Sequence, residues 1–365
     1  MIKTIVSVVG ARPNFLKMAP LHRQFAQVPQ QIKSILVHTG QHYDFSMSES
    51  FFQDLDLPQP HYHLGVGSGT HTTQTARIMR SFEKVIRSER VDGVVVFGDV
   101  NSTLACALVC AKENIPLAHV ESGLRSFDKS MPEEVNRILT DQVSDILFVT
   151  EQAGVDNLSR EGVPIGNIHL VGNIMIDELI RSLEKSSRSL VLQELDVSPK
   201  TYFLLTMHRA GTVDNPEKLQ YLADLIQAIS VRMPVIFPVH PRTRKNLKNL
   251  DLYHVLRKNP RVRLTEPKRY LDFLHLVRNS LAVLSDSGGI QAETSYLGVP
   301  CLTLRDCTEQ PVTVEIGTNT LVGLDSDRIL AQVEAIIHHR YKSGRPVPLW
   351  DGKTAERITQ VMLEN

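Results

Sequence analysis

The fold is decided by the segment at residues 281–293, which reads LAVLSDSGGIQAE. Its apolar start predicts a buried strand over Leu281–Leu284, and the residues from Ile290 onwards are compatible with a helix. A strand, a turn of small residues and a helix N-terminus direct unpaired backbone N–H groups and the positive end of the helix dipole towards one point. Gly288 and Gly289 let an anion approach the backbone, because neither carries a Cβ. The segment predicts an anion site, although an ordinary βα turn shares its local pattern.

One polar side chain extends this predicted anion site. Glu293 lies about one helical turn beyond the glycines, where its carboxylate can accept hydrogen bonds from hydroxyl groups such as those of a ribose. A diphosphate-linked ribonucleoside would use the helix N-terminus and Glu293 together.

The alternation of short β-branched runs with longer helical patterns extends over the whole chain. Strands are predicted at Ile5–Val9, Ile35–His38, Gly93–Phe97, Leu117–Val120, Ile146–Val149, Ile168–Val171, Phe203–Thr206, Val235–Val239, Val262–Leu264, Leu281–Leu284 and Pro300–Leu304. Helices are predicted at Phe15–Gln27, Thr72–Ile86, Thr103–Lys112, Glu134–Val143, Pro216–Val231, Tyr270–Arg278, Ile290–Leu297 and Ile329–His338. Such alternation favours parallel sheets covered by helices on both faces.

This pattern runs through two series, joined by a link near residues 172–188. We therefore expect an α/β fold of two doubly wound, Rossmann-like domains that face each other across a cleft, the first over residues 1–172 and the second over 173–351. In such domains ligands bind beyond the carboxyl ends of the strands.

The composition is that of a soluble globular protein, since 42% of the 365 residues are hydrophobic and 22% are charged. The net charge is zero, so no global field suggests a nucleic acid or membrane partner. The apolar run Ile5–Val9 is too short for a signal peptide. Cys106 and Cys110 have the spacing of buried helix residues, and no metal-ligand spacing is recognised. A cytoplasmic location without a metal or other cofactor is expected.

Three carboxylates follow predicted strand ends in the first domain. Asp99 follows the strand Gly93–Phe97, Glu121 ends the next strand, and Glu133 follows in the next loop. Neighbouring parallel strands end at the same edge of a sheet, so Asp99 and Glu121 are expected side by side as a proton-transfer pair. Each of them could instead serve as a helix N-cap or a loop anchor.

Basic residues and one histidine also follow strand ends. Arg12 follows the first strand, and Lys17 lies one turn along the next helix, where both could bind phosphate oxygens. The surrounding residues lack the G-x-G-x-x-G spacing, so a dinucleotide coenzyme is not indicated. His208 and Arg209 end the first strand of the second domain, where they are expected to face the carboxylates across the cleft.

These motifs resemble those of the non-hydrolysing UDP-N-acetylglucosamine 2-epimerases, which have a glycosyltransferase-B fold. The resemblance extends over nearly the whole chain and rests on the following segments: Gly10–Pro13, Gly40–His42, Gly98–Asp99, His119–Glu121, Pro132–Arg137, Met207–Arg209, Asp286–Gln291 and Leu304–Glu309.

The resemblance implies a role for each motif. Asp99, Glu121 and Glu133 would be the catalytic acids and bases, supported by His208 and Arg137. The UDP part would contact the remaining candidates, which are Arg12, Lys17, Phe273, Ser287, Gly288, Gly289, Glu293 and Gln310. The C-terminal helix, within residues 352–365, would pack on the first domain. The resemblance also implies a homodimer, a UDP-sugar substrate and a role in cell-surface polysaccharide biosynthesis.

The implied reaction is C2 epimerisation of UDP-N-acetylglucosamine to UDP-N-acetylmannosamine, by elimination of UDP and its return to a bound glycal. A modified substrate such as a diacetamido uronic acid, a hydrolysing epimerase, a glycosyltransferase and a non-catalytic nucleotide-sugar sensor remain alternatives. Gln310 stands where the family commonly has Arg, so it either loses a phosphate-binding charge or contacts a different sugar substituent. The segment Tyr43–Ser46 departs from a region that binds an activating substrate in bacterial members.

Overall fold

The computed structural model describes residues 2–41 and 54–365, except for the side chain of Arg12. His42 of the family motif and the segment Tyr43–Ser46, which differs from the family's sequence, lie outside the described residues. The chain forms two compact units, of which the first combines Met1–Glu178 with Pro348–Asn365 and the second is Leu179–Val347.

The first unit contains a seven-stranded sheet in which the strand pairs are parallel. Its strands are β1 (Lys3–Val9), β2 (Ile32–His38), β3 (Tyr62–His63), β4 (Gly93–Phe97), β5 (Leu117–Ser122), β6 (Ile146–Val149) and β7 (Ile168–Leu170). Its helices are α1 (Arg12–Gln27), α2 (His71–Ser88), α3 (Asn101–Glu113), α4 (Pro132–Gln142), α5 (Gln152–Arg160) and the 3₁₀ turn Ile165–Asn167, followed by α6 (Ile174–Ser186), within which the boundary falls.

The second unit contains a six-stranded parallel sheet. Its strands are β8 (Phe203–Thr206), β9 (Val235–Pro238), β10 (Val262–Thr265), β11 (Ala282–Ser285), β12 (Cys301–Thr303) and β13 (Asn319–Leu321). Its helices are α7 (Val191–Glu194), α8 (Ala210–Val213), α9 (Pro216–Arg232), α10 (Pro241–Asn249), α11 (Leu252–Lys258), α12 (Tyr270–Asn279), α13 (Gly288–Leu297), α14 (Val312–Glu315) and α15 (Ser326–Ile337). None of the helices in the described residues is long and apolar enough to cross a membrane.

Each sheet reverses its winding direction once. The strand order of the first sheet is β3-β2-β1-β4-β5-β6-β7, and that of the second is β10-β9-β8-β11-β12-β13. The reversal therefore lies between β1 and β4 in the first unit and between β8 and β11 in the second. Loops after the strands diverge at such a point and leave a crevice at the carboxyl edge of the sheet. Each unit thus has one preferred place for a ligand.

The strands are apolar on both faces because helices cover both. Phe203 and Leu205 of β8 belong to one buried cluster, which includes Ile226 of α9. Their neighbours Tyr202 and Leu204 belong to a different cluster on the opposite face. Successive side chains of a strand point to opposite faces, so a near-continuous apolar run is what a doubly covered sheet requires.

The predicted α/β class and strand alternation are confirmed, but several elements were not predicted. The strands β3 and β13 have only two and three residues, too few for a pattern of period two. The helix α10 buries only Thr243 and Leu247, so its sequence lacks an apolar face. The predicted link at residues 172–188 is mostly the helix α6, because Ile174 and Leu179 are buried core residues.

The C-terminal segment lies within the first unit and ends in a helix, α16 (Thr354–Glu364). Lys3 Nζ donates to the carbonyl groups of Met362 and Leu363 at 3.2 and 3.1 Å. Asp177 accepts a hydrogen bond from the backbone N–H of Ala355 at 2.8 Å, and Trp350 Nε1 donates to Thr150 O at 3.3 Å. Hydrogen bonds at three points therefore hold this segment.

Gly172 is where a side chain would disrupt this return of the chain. Its φ is +96°, and a Cβ would lie 2.2 Å from the carbonyl oxygen of Leu349. Gly162 has a similar φ of +82°, but a Cβ there would meet nothing within 4 Å. A side chain at Gly162 would therefore meet backbone strain alone, whereas one at Gly172 would meet both backbone strain and a steric clash.

We expect Gly172→Ala to lower the midpoint of thermal unfolding more than the control Gly162→Ala does. The control carries only the cost of a left-handed conformation, about 1–2 kcal/mol. Gly172→Ala adds an overpacking cost of about 1–3 kcal/mol, because the carbonyl of Leu349 must move. Equal losses in the two variants would show that the C-terminal segment adapts freely at residue 349.

Candidate functional site

The ends of β4 and β5 bring two candidate carboxylates together. These strands are adjacent, and Phe97 pairs with Val120 at their carboxyl ends. Asp99 lies in the turn after β4, and Glu121 is the next-to-last residue of β5. Because the register aligns these ends, both carboxylates lie at the carboxyl edge of the sheet, and Asp99 follows the strand that borders the reversal.

Asp99 pairs with a buried arginine. Its carboxylate is 30% exposed and lies 2.5 Å from Nη1 of Arg137, which is almost fully buried. The N-cap of α3 is Val100, which makes no side-chain capping bond. Asp99 is therefore not the N-cap of this helix. Arg137 orients its carboxylate, which remains partly exposed to solvent.

Arg137 has a second partner, Glu134, which the sequence analysis did not single out. The Glu134 carboxylate lies 2.8 Å from Arg137 Nη2 and accepts the backbone N–H groups of Ser126 and Phe127, each at 2.9 Å. Burial acts to raise the pKa of Glu134, but these donors hold it below its ordinary value. Glu134 is thus a buried partner that holds Arg137 in place. The two residues are three positions apart on one helix, and this spacing in the sequence indicates their contact.

Glu133 differs from its neighbour. It lies in the first turn of α4 and is exposed. The family resemblance implies that this residue is a catalytic acid or base. The described contacts do not join it to Asp99 or Glu121. Its place in the proton-transfer set stays a prediction.

Glu121 is held in an unusual backbone conformation by its surroundings. Its φ is +73°, and the pairing of β5 with β6 shifts register between Val120 and Ser122. Its carboxylate forms an ion pair with Lys17 of α1, and both side chains are about nine-tenths buried. Such an outlier costs of order 1–3 kcal/mol and persists only where surrounding contacts enforce it.

Gly98 joins the two carboxylate positions sterically. Its φ is +63°, and a Cβ there would lie 2.7 Å from Lys17 Nζ and 3.2 Å from Glu121 Oε2. The turn that carries Asp99 therefore packs directly on the Lys17–Glu121 pair. The sequence predicts that Lys17 binds a phosphate group. In the structure its ammonium group is already paired, and phosphate binding stays a prediction.

The loop after β1 is organised by Asn14, another residue that the sequence analysis did not assign to the site. Asn14 Oδ1 accepts the N–H groups of Gly10 and Ala11 at 3.2 and 3.0 Å, and Nδ2 donates to Phe97 O at 2.9 Å. One side chain therefore ties the start of α1 to the end of β4. Arg12 begins this helix, but its side chain lies outside the described part.

The predicted anion site in the second unit has the local structure that the sequence indicates. β11 ends at Ser285, Ser287 is the N-cap of α13, and Gly288 and Gly289 are its first two residues. The Ser287 side chain makes no capping bond in the described structure. The first N–H groups of a helix have no partner within the helix and attract anions.

Glu293 is buried within α13 and is 4% exposed. The hydroxyl of Tyr270 donates to Glu293 Oε1 at 3.4 Å. Burial raises the pKa of Glu293 to about 7, and the Tyr270 hydrogen bond offsets only part of this effect. Phe273, on the same helix as Tyr270, is half-buried against the apolar cluster around Leu204.

His208 lies opposite α13 across the reversal point of the second sheet. Asp286, the residue after β11, accepts the backbone N–H groups of His208 and Arg209 at 2.9 and 2.8 Å. Its other oxygen lies 2.9 Å from His208 Nδ1, and the His208 ring remains 44% exposed. Burial acts to raise the pKa of Asp286, but these contacts hold it below its ordinary value. Asp286 thus orients an open imidazole.

Gln310 is 5% exposed, and its Oε1 has no hydrogen-bond partner among the described residues. Its backbone N–H donates to Thr308 Oγ1 at 3.1 Å. Arg305, a cation five residues before Gln310, pairs with both oxygens of Glu309 at 2.9 and 2.8 Å. The charge of Arg305 is therefore largely compensated.

Comparisons with known proteins agree on one family. The model described as UDP-N-acetylglucosamine 2-epimerase matches residues 26–363. The UDP-N-acetylglucosamine 2-epimerase of Methanocaldococcus jannaschii is 42% identical over 360 residues, which cover 97% of each chain. The UDP-2,3-diacetamido-2,3-dideoxy-D-glucuronate 2-epimerase of Pseudomonas aeruginosa is 41% identical over 329 residues, covering 89% of this chain and 90% of the relative.

A solved structure agrees with these relatives. The crystal structure of the M. jannaschii UDP-GlcNAc 2-epimerase in complex with UDP-GlcNAc and UDP has a TM-score of 0.92 and 41% identity. It covers 99% of this chain and 100% of that chain. The two parallel sheets flanked by helices are thus a glycosyltransferase-B type α/β fold. The chain belongs to the UDP-N-acetylglucosamine 2-epimerase family and is an isomerase.

Proposed function

We propose that this enzyme interconverts UDP-N-acetylglucosamine and UDP-N-acetylmannosamine without hydrolysis. The observation that carries the proposal is the pair Asp99 and Glu121 at adjacent strand ends, each held by its own cation. Moving a proton on and off a weakly acidic carbon needs positioned acids and bases. Family membership supplies the substrate class, since the M. jannaschii relative was crystallised with UDP-GlcNAc and UDP.

The proposed reaction has two reversible halves. A carboxylate base removes the proton from C2 of the sugar, the C1–C2 double bond forms, and the C1–O bond breaks with its electrons on the departing UDP. UDP oxygen then attacks C1 of the bound glycal while an acid delivers a proton to the opposite face of C2. No electrons are gained or lost, so the balance needs no redox cofactor. Asp99, Glu121 and Glu133 are the proposed acids and bases, with Arg137 and His208 supporting them.

The nucleotide is proposed to bind the second unit at α13. Gly288 and Gly289 offer their N–H groups to the diphosphate, Ser287 offers its hydroxyl, and Glu293 accepts ribose hydroxyls. Phe273 is proposed to lie near the uracil. The diphosphate would also meet Arg12 and Lys17. Binding the leaving group in this way stabilises the charge that develops on UDP.

A second substrate is supported by two observations. The P. aeruginosa relative, named for a diacetamido uronic acid, is 41% identical over 89% of this chain, against 42% over 97% for the M. jannaschii enzyme. The buried Oε1 of Gln310 also lacks a described partner and could accept an acetamido N–H. Turnover of the two UDP-sugars, measured side by side, decides between them, and Gln310→Arg should change their ratio if this residue contacts the sugar.

We further propose that the enzyme is a cytoplasmic homodimer that supplies a sugar for cell-surface polysaccharides. Its four cysteines are free, and three of them are buried, which fits a reducing compartment. Light scattering on the purified protein measures the oligomeric state directly.

The reaction type is tested with UDP-N-acetylglucosamine in heavy water, followed by proton NMR without an acceptor. We expect the C2 epimer to form with solvent deuterium at C2, because the removed proton exchanges before a proton returns. Product that keeps its original C2 proton would rule out the elimination. Stoichiometric free N-acetylmannosamine would instead indicate a hydrolysing enzyme.

The proton-transfer residues are tested by isosteric variants. Asp99→Asn and Glu121→Gln should each lower turnover about 10²–10⁴-fold, the usual contribution of a general acid or base. Glu133→Gln tests whether the exposed residue belongs to the same set. The control is Glu113→Gln, at the far end of α3 and paired with Arg87. Near-normal turnover in folded Asp99→Asn and Glu121→Gln would refute the assignment.

The Glu293 carboxyl predicts a pH dependence of nucleotide binding. Its pKa of about 7 means that the free protein holds a proton there at pH 6, whereas ribose hydroxyls donate best to the ionised group. UDP should therefore bind about tenfold more weakly at pH 6 than at pH 8, since each pH unit below the pKa costs about a factor of ten.

The variant Glu293→Gln separates this effect from the titration of UDP itself. It should weaken UDP binding at pH 8 and show only the pH dependence that belongs to the phosphate. Calorimetry in two buffers of different ionisation enthalpy measures the protons released. Identical pH profiles for the wild type and Glu293→Gln would remove Glu293 from the nucleotide site.

A further inference from the structure

A buried histidine adjoins the backbone segments that carry the two candidate carboxylates. His119 is on β5, two residues before Glu121, and is fully buried. Its Nε2 lies 2.8 Å from the carbonyl oxygen of Gly98, and its Nδ1 lies 2.6 Å from Asp141 Oδ1. A carbonyl and an ionised carboxylate only accept hydrogen bonds, so the ring donates from both nitrogens.

The partners of this ring form a closed group of charges. Asp141 Oδ2 lies 2.7 Å from Arg125 Nη1, and Arg125 in turn donates to both oxygens of Glu161 at 2.8 and 2.6 Å. Burial acts to raise the pKa of Asp141, but His119 and Arg125 hold it below its ordinary value. His119, Arg125 and Asp141 are buried, whereas Glu161 lies at the surface, so Arg125 carries this group of charges from the interior of the first unit to its surface.

This group fixes the backbone on which both carboxylates stand. The Gly98 carbonyl belongs to the peptide that leads into Asp99, so the His119 ring sets the plane of that peptide. Asp141 Oδ2 also accepts the backbone N–H of Gly123 at 3.1 Å. The same carboxylate therefore holds the chain two residues before and two residues after Glu121, whose left-handed φ and register shift need such support.

We propose that His119 is a positioning residue for the epimerisation, which orients Asp99 through the Gly98 carbonyl, while Asp141 holds the bulge at Glu121. This role rests on the function proposed above, because it assumes that Asp99 and Glu121 transfer protons. His119 itself touches no reacting atom. Its effect is on the rate of the chemical step and not on nucleotide binding.

Two amide variants divide the two hydrogen bonds of the ring. The amide nitrogen of Asn overlies Nδ1 of His, so His119→Asn keeps the donor to Asp141 and loses the donor to Gly98. The amide nitrogen of Gln overlies Nε2, so His119→Gln keeps the donor to Gly98 and loses the one to Asp141. Both variants bury a neutral amide in the same place, which makes each the control for the other.

We expect turnover and stability to rank these variants in opposite orders. His119→Gln should be the less stable in thermal unfolding, because it leaves a buried charge short of a donor. His119→Asn should nevertheless be the slower enzyme, with kcat lowered about tenfold to a hundredfold relative to His119→Gln. The reason is that displacing a catalytic group by about 1 Å can lower the rate up to about a hundredfold. The KM for the UDP-sugar and the Kd of UDP should change little in either.

The wild-type reaction is measured first, so that the two proposals fail separately. A wild type that does not epimerise overturns the proposed function and the positioning role with it. An active wild type whose variants lose turnover in the order of their stability shows that His119 is only structural. A raised KM with unchanged kcat would likewise overturn the proposal.

A spectroscopic measurement tests the hydrogen bonds independently of activity. Histidine labelled with ¹⁵N should give one ring with protons on both nitrogens, as its two acceptors require, and that signal should disappear in both variants. A wild-type ring at residue 119 with a single protonated nitrogen would show that it does not donate to both partners, and the proposal would be wrong.

Discussion

An ionised carboxylate that leaves water needs a compensating charge or a row of donors, and this requirement organises the first unit. The structure meets it three times within a short distance along the sheet. Asp99 has Arg137, Glu121 has Lys17, and Asp141 has both His119 and Arg125. The strand ends can therefore hold acidic groups in fixed orientations, which an unpaired carboxylate in the same place would not keep.

The second unit meets a similar requirement with backbone groups. Asp286 is compensated chiefly by two N–H groups and an imidazole, and the start of α13 offers further N–H groups to an incoming anion. Glu293 is the exception, since burial leaves it with a raised pKa and, within the described part of the chain, one long hydrogen bond from Tyr270. A group so close to its titration point changes charge readily when a ligand arrives, which a permanently paired carboxylate does not do.

The sequence predicted the parallel sheets well because strands buried on both faces are continuous apolar runs, as at β4 and β8. It also predicted which residues follow the strand ends, since the chain order alone places Asp99, Glu121, His208 and Gly288 there. It did not predict the partners. The contacts Lys17–Glu121 and His119–Asp141 join residues far apart in sequence, and no local pattern specifies such distant partners. The pair Glu134–Arg137, three residues apart on one helix, is the exception.

The left-handed backbone at Glu121 has a consequence for how this protein can evolve. Glycine would adopt a φ of +73° without strain, so random mutation offers a substitution that relaxes the main chain while removing the carboxylate. A strained functional site of this kind costs stability, and the strain persists where activity requires it. Here the buried ammonium of Lys17 opposes that substitution, because it would be left as an uncompensated charge. The ion pair thus makes loss of the acidic group a two-step event, and positions 17 and 121 should change together or not at all among descendants of this chain.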